Sequence, residues 1–236
     1  MTTTLITGAN KGLGHETARR LIAEGHTVYI GSRDAERGRR ASERLGARPL
    51  LLDVTDDASV AAAVKTVEAE AGALDVLVNN AGTEGRGPGN TVIGAADVTA
   101  DMMRTVFDTN VLGVVRVTHA FLPLLRRSTA PVVVNVSSGL ASLTGATTPD
   151  TPGYGYPGVA YPASKAAVNM ITVQYAKAFP TMRINAVEPG YTATDLNGRT
   201  GTQTVEEGAG IIVRMALTAP DGPTGGYFSA DGPLPW

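Results

Sequence analysis

Thr3-Thr4-Leu5-Ile6-Thr7-Gly8-Ala9-Asn10-Lys11-Gly12-Leu13-Gly14 carries a short β-branched run through three closely spaced glycines into an amphipathic stretch. Read as strand, turn and helix, it decides the fold. Glycines let the backbone turn tightly and approach a pyrophosphate, while the following helix offers free N–H groups and the positive end of its dipole. A glycine-rich turn can also serve packing alone. Its place between a strand and a helix is what weights it toward phosphate. The Gly-x3-Gly-x-Gly spacing differs from the commoner Gly-x-Gly-x2-Gly, and no Gly-Lys-Ser/Thr ending marks a P-loop.

Outward from this stretch, short β-branched runs alternate with longer amphipathic segments, the pattern of βαβ units building a parallel sheet. The pattern predicts strands over 3–7, 27–30, 49–52, 76–78, 132–136, 183–187 and 226–228. It predicts helices over 12–24, 35–45, 58–71, 100–125, 160–178 and 205–217, the fourth dividing into two near Asp108–Asn110. No linker, charge block or repeat interrupts the chain, so residues 1–236 are expected to form one α/β domain with a Rossmann-type, doubly wound parallel sheet. Its ligand crevice then lies outside the C-terminal ends of the strands. Connections near 83–99, 139–160 and 190–204 are expected to carry the substrate contacts.

Composition removes several function classes. The 236 residues are 43% hydrophobic with a net charge of -2, which gives no electrostatic reason to expect nucleic acid or an anionic membrane as partner. With no cysteine, disulfides, thiol catalysis and Cys-based zinc sites are absent. His15, His26 and His119 lack metal-ligand spacing, so no metal site is expected. No apolar run is long enough to span a bilayer, and the first residues lack the pattern of a secretion signal. A soluble, cytoplasmic protein is expected.

Tyr161 and Lys165 stand at i and i+4 within Tyr161-Pro162-Ala163-Ser164-Lys165, so one helix face presents both. A phenol ordinarily holds its proton until about pH 10, and a neighbouring ammonium lowers that value. Ser138 lies upstream, just past an apolar strand. Ser137 is predicted to face the other way, because side chains alternate along a strand. Tyr154 and Tyr156 have no Lys four residues on and are expected to line the pocket. Neither serine lies in a Gly-x-Ser-x-Gly elbow, which argues against a serine hydrolase.

The end of the second strand, Tyr29-Ile30-Gly31-Ser32-Arg33-Asp34, bears on cofactor choice. An acid there would accept hydrogen bonds from an NAD ribose and repel the 2′-phosphate of NADP. Ser32 stands where the acid is sought, Arg33 follows, and Lys11 offers a second positive charge, which favours NADP(H). In the alternative, Arg33 pairs with Asp34 or solvent and Asp34 reaches the ribose. Asp53 and Val54 are placed to meet the adenine, although Asp53 could equally cap the turn before the next helix. In Asn79-Asn80-Ala81-Gly82, small residues let the backbone pass close to the cofactor, and Asn79 has a structural role at least as readily as a binding one. Pro189-Gly190 would turn the chain under the nicotinamide, with Val187 near the ring. Thr192 would either bond the carboxamide or cap its own loop. Residues 191–204, rich in Thr and Gly, are expected to form a lid.

In this order Thr7-Gly8-x3-Gly12-x-Gly14, Asp53, Asn79-Asn80-Ala81-Gly82, Asn110, Ser138, Tyr161-x3-Lys165 and Pro189-Gly190 make the chain resemble the short-chain dehydrogenase/reductase family over essentially its whole length. The stretch 8–12 together with Ser32-Arg33-Asp34 is similar to the NADPH-dependent carbonyl reductase branch. The resemblance implies that Tyr161 is the acid/base and that Ser138 hydrogen-bonds the substrate oxygen. It implies that Lys165 binds the nicotinamide ribose and lowers the Tyr161 pKa, and that Asn110 holds a water linking Lys165 to solvent. Cofactor contacts are then expected at Gly8, Asn10, Lys11, Gly12, Leu13, Gly14, Ser32, Arg33, Asp53, Val54, Asn80, Ala81, Gly82, Tyr161, Lys165, Pro189, Gly190 and Thr192.

One departure is the 22-residue connection from Ser138 to Tyr161, longer than is usual in the family and rich in Pro and Gly around 147–157. It either shapes the pocket wall, the reading favoured here, or decorates the surface. The segments 110–125 and 160–178 are apolar or small on more than one face, which predicts burial. The resemblance implies that these helices join a homo-oligomer, dimer or tetramer, unless the long connection covers that face and leaves a monomer. The expected activity is hydride transfer between NADP(H) and a small or medium ketone, aldehyde or secondary alcohol. The alternatives are NAD-linked alcohol oxidation and a non-catalytic nucleotide-binding sensor or scaffold, against which the intact Ser138, Tyr161 and Lys165 argue.

Overall fold

The computed structural model describes residues 2–236, and in it the expected alternation of strands and helices is built out along the chain. The first half contains β1 (Thr3–Ile6), α1 (Gly12–Ala23), β2 (Thr27–Ser32), α2 (Ala35–Leu45), β3 (Arg48–Leu51), α3 (Asp57–Ala71), β4 (Val76–Asn79) and α4 (Ala100–Phe107). The second contains α5 (Gly113–Leu125), β5 (Val132–Val136), α6 (Leu143–Thr147), α7 (Ala160–Ala178), β6 (Arg183–Val187), α8 (Val205–Ala216), β7 (Tyr227–Ser229) and β8 (Gly232–Pro233). They form a single α/β domain around an eight-stranded sheet of order β3-β2-β1-β4-β5-β6-β7-β8.

Strands buried on both faces send alternate side chains to two cores. Leu5, Tyr29, Leu77 and Val133 join Val60, Val67, Val117 and Phe121 from α3 and α5 on one face. Ile6, Ile30, Val78 and Val134 meet Ala18, Leu21, Ala41, Ile212 and Met215 from α1, α2 and α8 on the other. Pairing is parallel from β3 across to β7. Because the order reverses beside β1, the crevice opens at the C-terminal ends of β1 and β4.

A buried polar chain crosses the sheet. Asn79 Nδ2 donates to Thr118 Oγ1 at 3.0 Å and to Asn135 Oδ1 at 2.8 Å, and Asn135 Nδ2 donates to Thr172 Oγ1 at 2.9 Å. It ties β4 and β5 to α5 and α7, so the structural role read for Asn79 is the one its side chain performs.

Three features refine the expected elements. The 100–125 segment does divide, through a π-helical turn at Asp108–Leu112 in which the Gly113 N–H donates to Asp108 O. Helix α6 was not anticipated. Ser142 caps it by accepting from the Gly145 N–H at 2.9 Å, inside the Pro/Gly-rich connection. The last pairing is antiparallel, β7 with β8, where a parallel sheet was expected. Among the described residues no helix is long and apolar enough to cross a membrane.

Removing a member of the buried chain strands its partners. Asn135→Ala is expected to lower unfolding free energy by about 1–3 kcal/mol, read by urea denaturation. An unchanged midpoint would show that the chain contributes nothing net.

Candidate active site

The phosphate end is set by contacts too close to admit a side chain. Gly8 has φ +64, and a Cβ there would stand 2.9 Å from Ala81 Cα. A Cβ on Gly14 would meet Asn80 Nδ2 at 2.6 Å and Ala9 Cα at 2.9 Å. Thr7 Oγ1 accepts from the N–H groups of Asn80 at 3.0 Å and Ala81 at 2.9 Å, and Asn80 Nδ2 donates to Thr7 O at 2.8 Å. Asn80 and Ala81 thus carry the glycine turn. Side chains of Asp34, Asp56, Thr99 and Thr204 cap α2, α3, α4 and α8. None caps α1, where Lys11 is the N-cap residue. Its first-turn N–H groups stay available to an anion. The backbones of Asn10, Gly12 (φ +58) and Leu13 lie in this turn, and Leu13 packs toward α8, 3.0 Å from a Cβ placed on Gly208.

The cations sort themselves. Lys11 Nζ lies 2.8 Å from Asp195 Oδ2, which turns its charge toward the loop after β6. Asp34 caps α2 through the Arg37 N–H at 2.9 Å and pairs with the Arg37 guanidinium at 3.2 Å. The alternative pairing of Arg33 with Asp34 is therefore not formed. Arg33 is exposed and makes no ion pair among the described residues. The buried Ser32 hydroxyl donates to Asp34 O at 2.8 Å and accepts the Asp34 N–H at 3.2 Å, closing the turn.

Asp53 Oδ1 accepts from Thr55 N at 2.9 Å and Thr55 Oγ1 at 2.7 Å, the capping arrangement. The Thr55 N–H, then its hydroxyl, hold the Asp53 carboxyl below its usual range, and the Arg33 charge adds to this. Val54 lines a hollow with Ala81 and Thr109 beside the glycine turn.

At the other end, Ser138 follows β5 and Tyr161 opens α7, and the serine side chain lies near enough to the phenol to lower its pKa. Ser137 faces away as predicted, with Oγ donating to Asn169 Oδ1 at 2.7 Å. Lys165 is 4% exposed, its ammonium 5.6 Å from the centre of the Tyr161 ring and 2.7 Å from Val136 O. Desolvation lowers the Lys165 pKa to about 8. The expected lowering of Tyr161 is not found. Burial raises the phenol, Ser138 offsets part of this, and the charges of Glu84 and Glu188 add to the rise. The reason is geometric: Lys165 sits over the ring and spends its charge on the Val136 carbonyl.

Asn110, on the π-helical turn, is fully buried. Its Oδ1 accepts from Thr83 N at 2.8 Å, and its Nδ2 donates to Thr83 O at 2.8 Å and Ser164 Oγ at 2.9 Å. Both amide hydrogens are engaged in clamping the 82–84 turn to α7. Gly82 lies between this clamp and the lysine, since a Cβ there would be 3.4 Å from Asn110 Oδ1 and 3.6 Å from Lys165 Nζ.

After β6, Gly190 (φ +80) turns beneath Gln203, whose Oε1 would lie 1.8 Å from an added Cβ. Thr192 is buried and its hydroxyl donates back to Pro189 O at 3.1 Å, the loop-capping alternative. Thr194 lies at the crevice instead, its Cγ2 3.7 Å from a Cβ placed on Gly12. Val187, at the C-terminal end of β6, is fully buried in the core.

Four residues at the site were not singled out from sequence. Glu188 Oε1 accepts from Gly190 N at 2.8 Å, and the carboxylate lies against Gly139, 3.5 Å from a Cβ placed there, which brings together the turns after β5 and β6. Burial raises its pKa, against the Gly190 N–H and the nearby Gly139 backbone. Tyr227 donates its hydroxyl to Ser138 O. Glu84 and Arg86 line the cleft beside Tyr161, and the Tyr156 hydroxyl donates to Glu84 Oε1 at 2.6 Å. Tyr156, Gly158 and Val159 make the extra connection part of the pocket wall, whereas Tyr154 is exposed. Charged residues in Gly-rich loops read as solvated until tertiary pairing is known.

The short chain dehydrogenase family model matches residues 2–204. A (+)-neomenthol dehydrogenase of Capsicum annuum is 32% identical over 95% of this chain and 94% of its own. Among solved structures, salutaridine reductase from Papaver somniferum aligns with TM-score 0.84 and 29% identity over 98% of this chain and 100% of that one. Menthone neomenthol reductase from Mentha piperita aligns with TM-score 0.78 and 31% identity over 97% and 98%. With the fold, the glycine turn and these likenesses in agreement, the chain belongs to the short-chain dehydrogenase/reductase family of oxidoreductases.

Proposed function

We propose that this enzyme is an NADPH-preferring carbonyl reductase in which Tyr161 delivers the proton. The observation that carries the reading is the convergence of Ser138 and Tyr161 in one cleft, with the phenol held in its protonated form by burial. Reducing a carbonyl builds negative charge on oxygen, and two O–H donors aimed at that atom stabilise it, one of them giving up its proton. Ser138 is fixed for this through its carbonyl by Tyr227, and the adjacent Gly139 packs against Glu188.

The residues fit a dinucleotide: α1 is uncapped, the glycine turn admits no side chain at Gly8 or Gly14, and Gly82 leaves a passage beside Lys165. When bound, NADPH supplies the hydride. The first turn of α1 with Gly8, Asn10 and Gly12 would hold the pyrophosphate, Asp53 and Val54 the adenine end, and Gly82, Pro189 and Gly190 the nicotinamide side. Lys165 retains ammonium hydrogens for ribose hydroxyls. Arg33 supports the 2′-phosphate, since it is an exposed cation at the end of β2 that makes no ion pair among the described residues. The relatives named above are reductases or dehydrogenases of terpenoid and alkaloid type by name, which supports a hydrophobic ketone or secondary alcohol as substrate. Leu112 and Met170, 51% and 58% exposed on the π-helical turn and α7, support a homo-oligomer joined through these helices.

Tyr161→Phe is expected to abolish ketone reduction, followed at the reduced-nicotinamide absorbance, while leaving NADPH affinity within about twofold. Retained turnover would sink the assignment. Arg33→Ala is expected to raise the Kd for NADPH by about tenfold or more, with NADH little changed. Equal losses for both cofactors would remove the 2′-phosphate contact.

Lys165 adds a stability signature. Its folded pKa, about 8, lies below its unfolded value near 10.5. Its burial therefore costs stability below pH 8, and the cost fades as pH rises from 8 toward 10.5. Lys165→Met is expected to abolish turnover yet raise Tm at pH 7, by up to about 3 kcal/mol in stability, with the gap to wild type closing toward pH 10. A Tm that falls at pH 7 would contradict the burial cost.

A further inference from the structure

We propose that Glu84 is a specificity-determining residue that closes the carbonyl pocket to anionic substrates by occupying Arg86; this rests on the reductase reading of Tyr161. Arg86 is the cation among the residues lining the cleft, its side chain 15% exposed against 7% for Glu84. Its Nε donates to Glu84 Oε2 at 2.8 Å and its Nη2 to Glu84 Oε1 at 2.8 Å. That is the two-point fork by which a guanidinium would grip a substrate carboxylate or phosphate. Nη1 is turned to Asn90 O at 2.9 Å.

The pair is held from the opposite side. Tyr156, at the end of the extra connection, donates its hydroxyl to Glu84 Oε1 at 2.6 Å, and Gly94 bridges Gly158 nearby. Glu84 thus sits between a guanidinium and a phenol, both of them cleft residues. What remains of the wall is Val92, Ile93, Val98, Met102 and Val159. A second carboxylate, Glu188, bears on the Tyr161 phenol from the β6 side with the same sign of charge as Glu84. An incoming anion therefore finds its guanidinium taken, aliphatic walls and two carboxylates near the reacting centre. An uncharged ketone meets none of these penalties.

The test compares 4-methylcyclohexanone with 4-oxocyclohexanecarboxylate, a neutral and an anionic ketone of similar shape, with NADPH at saturation. Wild type is expected to favour the neutral ketone in kcat/KM. Glu84→Gln keeps an acceptor for Tyr156 but leaves Arg86 unneutralised, and is expected to raise the carboxylate-to-neutral ratio by about tenfold or more. Glu84→Gln combined with Arg86→Gln removes the freed cation and is expected to return the ratio to near the wild-type value. An unchanged ratio in Glu84→Gln, a gain that survives in the double variant, or a wild type indifferent to the charge would overturn the proposal. Should Glu84→Gln not fold, Glu84→Asp shortens the carboxylate's reach and is expected to give a smaller rise; no rise overturns it too. If wild type reduces neither ketone, the reductase reading fails by itself. Binding of cyclohexanecarboxylate to the NADP-loaded proteins, followed by saturation-transfer NMR, then decides: binding to Glu84→Gln and not to wild type supports the role of Glu84, and equal binding to both refutes it.

Discussion

Between the turn that follows β1 and the turn that follows β4 there is no room for another carbon atom, and most of the site is arranged around that closeness. Gly8 rests on Ala81 and Gly14 on the Asn80 amide. Thr7 fastens the two turns by taking both the Asn80 and Ala81 N–H groups. The order of strands makes this contact: β1 and β4 are neighbours although three helices and two strands separate them in the chain. A side chain at either glycine would push the turns apart, and α1 would no longer point its free N–H groups into the crevice. The left-handed backbone at Gly8 adds a second reason that only glycine serves there.

The reacting end depends on a different economy, that of buried charge. Lys165, Glu188, Glu84 and Arg86 are all withdrawn from water to some degree, and each is held by a small number of directed bonds. Such groups cost folding free energy unless paired, and the molecule pairs them through backbone N–H and C=O groups or with each other. The result is a cleft in which Tyr161 keeps its proton and Ser138 is fixed through its carbonyl. Tyr227 matters here because it carries the C-terminal segment into the site: Trp236 stacks on its ring at 5.5 Å, and Trp236 O accepts from Thr144 N and Oγ1 on α6.

Much of this was legible in advance, for physical reasons that can be named. Runs such as 132–136, VVVNV, bury both faces and cannot be other than an inner strand of a parallel sheet. Glycine after a strand and before a helix, and Tyr161 four residues before Lys165, are local patterns whose geometry the chain dictates. What escaped notice depends on contacts between distant segments. Helix α6 and β8 are too short to show periodicity and exist because Ser142 caps one and β7 pairs with the other. The direction of the Tyr161 shift was misjudged because helical spacing places an ammonium near a ring without saying which atom it binds. The pairing of Lys11 with Asp195 and the turn closed by the Ser32 hydroxyl are likewise not written in local spacing. Glu188 and Arg86 have no sequence signature: each bonds a neighbour two residues away, Gly190 N–H and Glu84, inside loops that show no periodicity.

The bridge between Gly94 and Gly158, with the Tyr156 hydroxyl on Glu84, joins two segments that lie on either side of α4, α5 and β5 in the chain. Neither segment forms its part of the wall alone. A homologue's loop grafted into one position would meet a mismatched neighbour at the other, so changes in ligand preference have to be drawn from both at once.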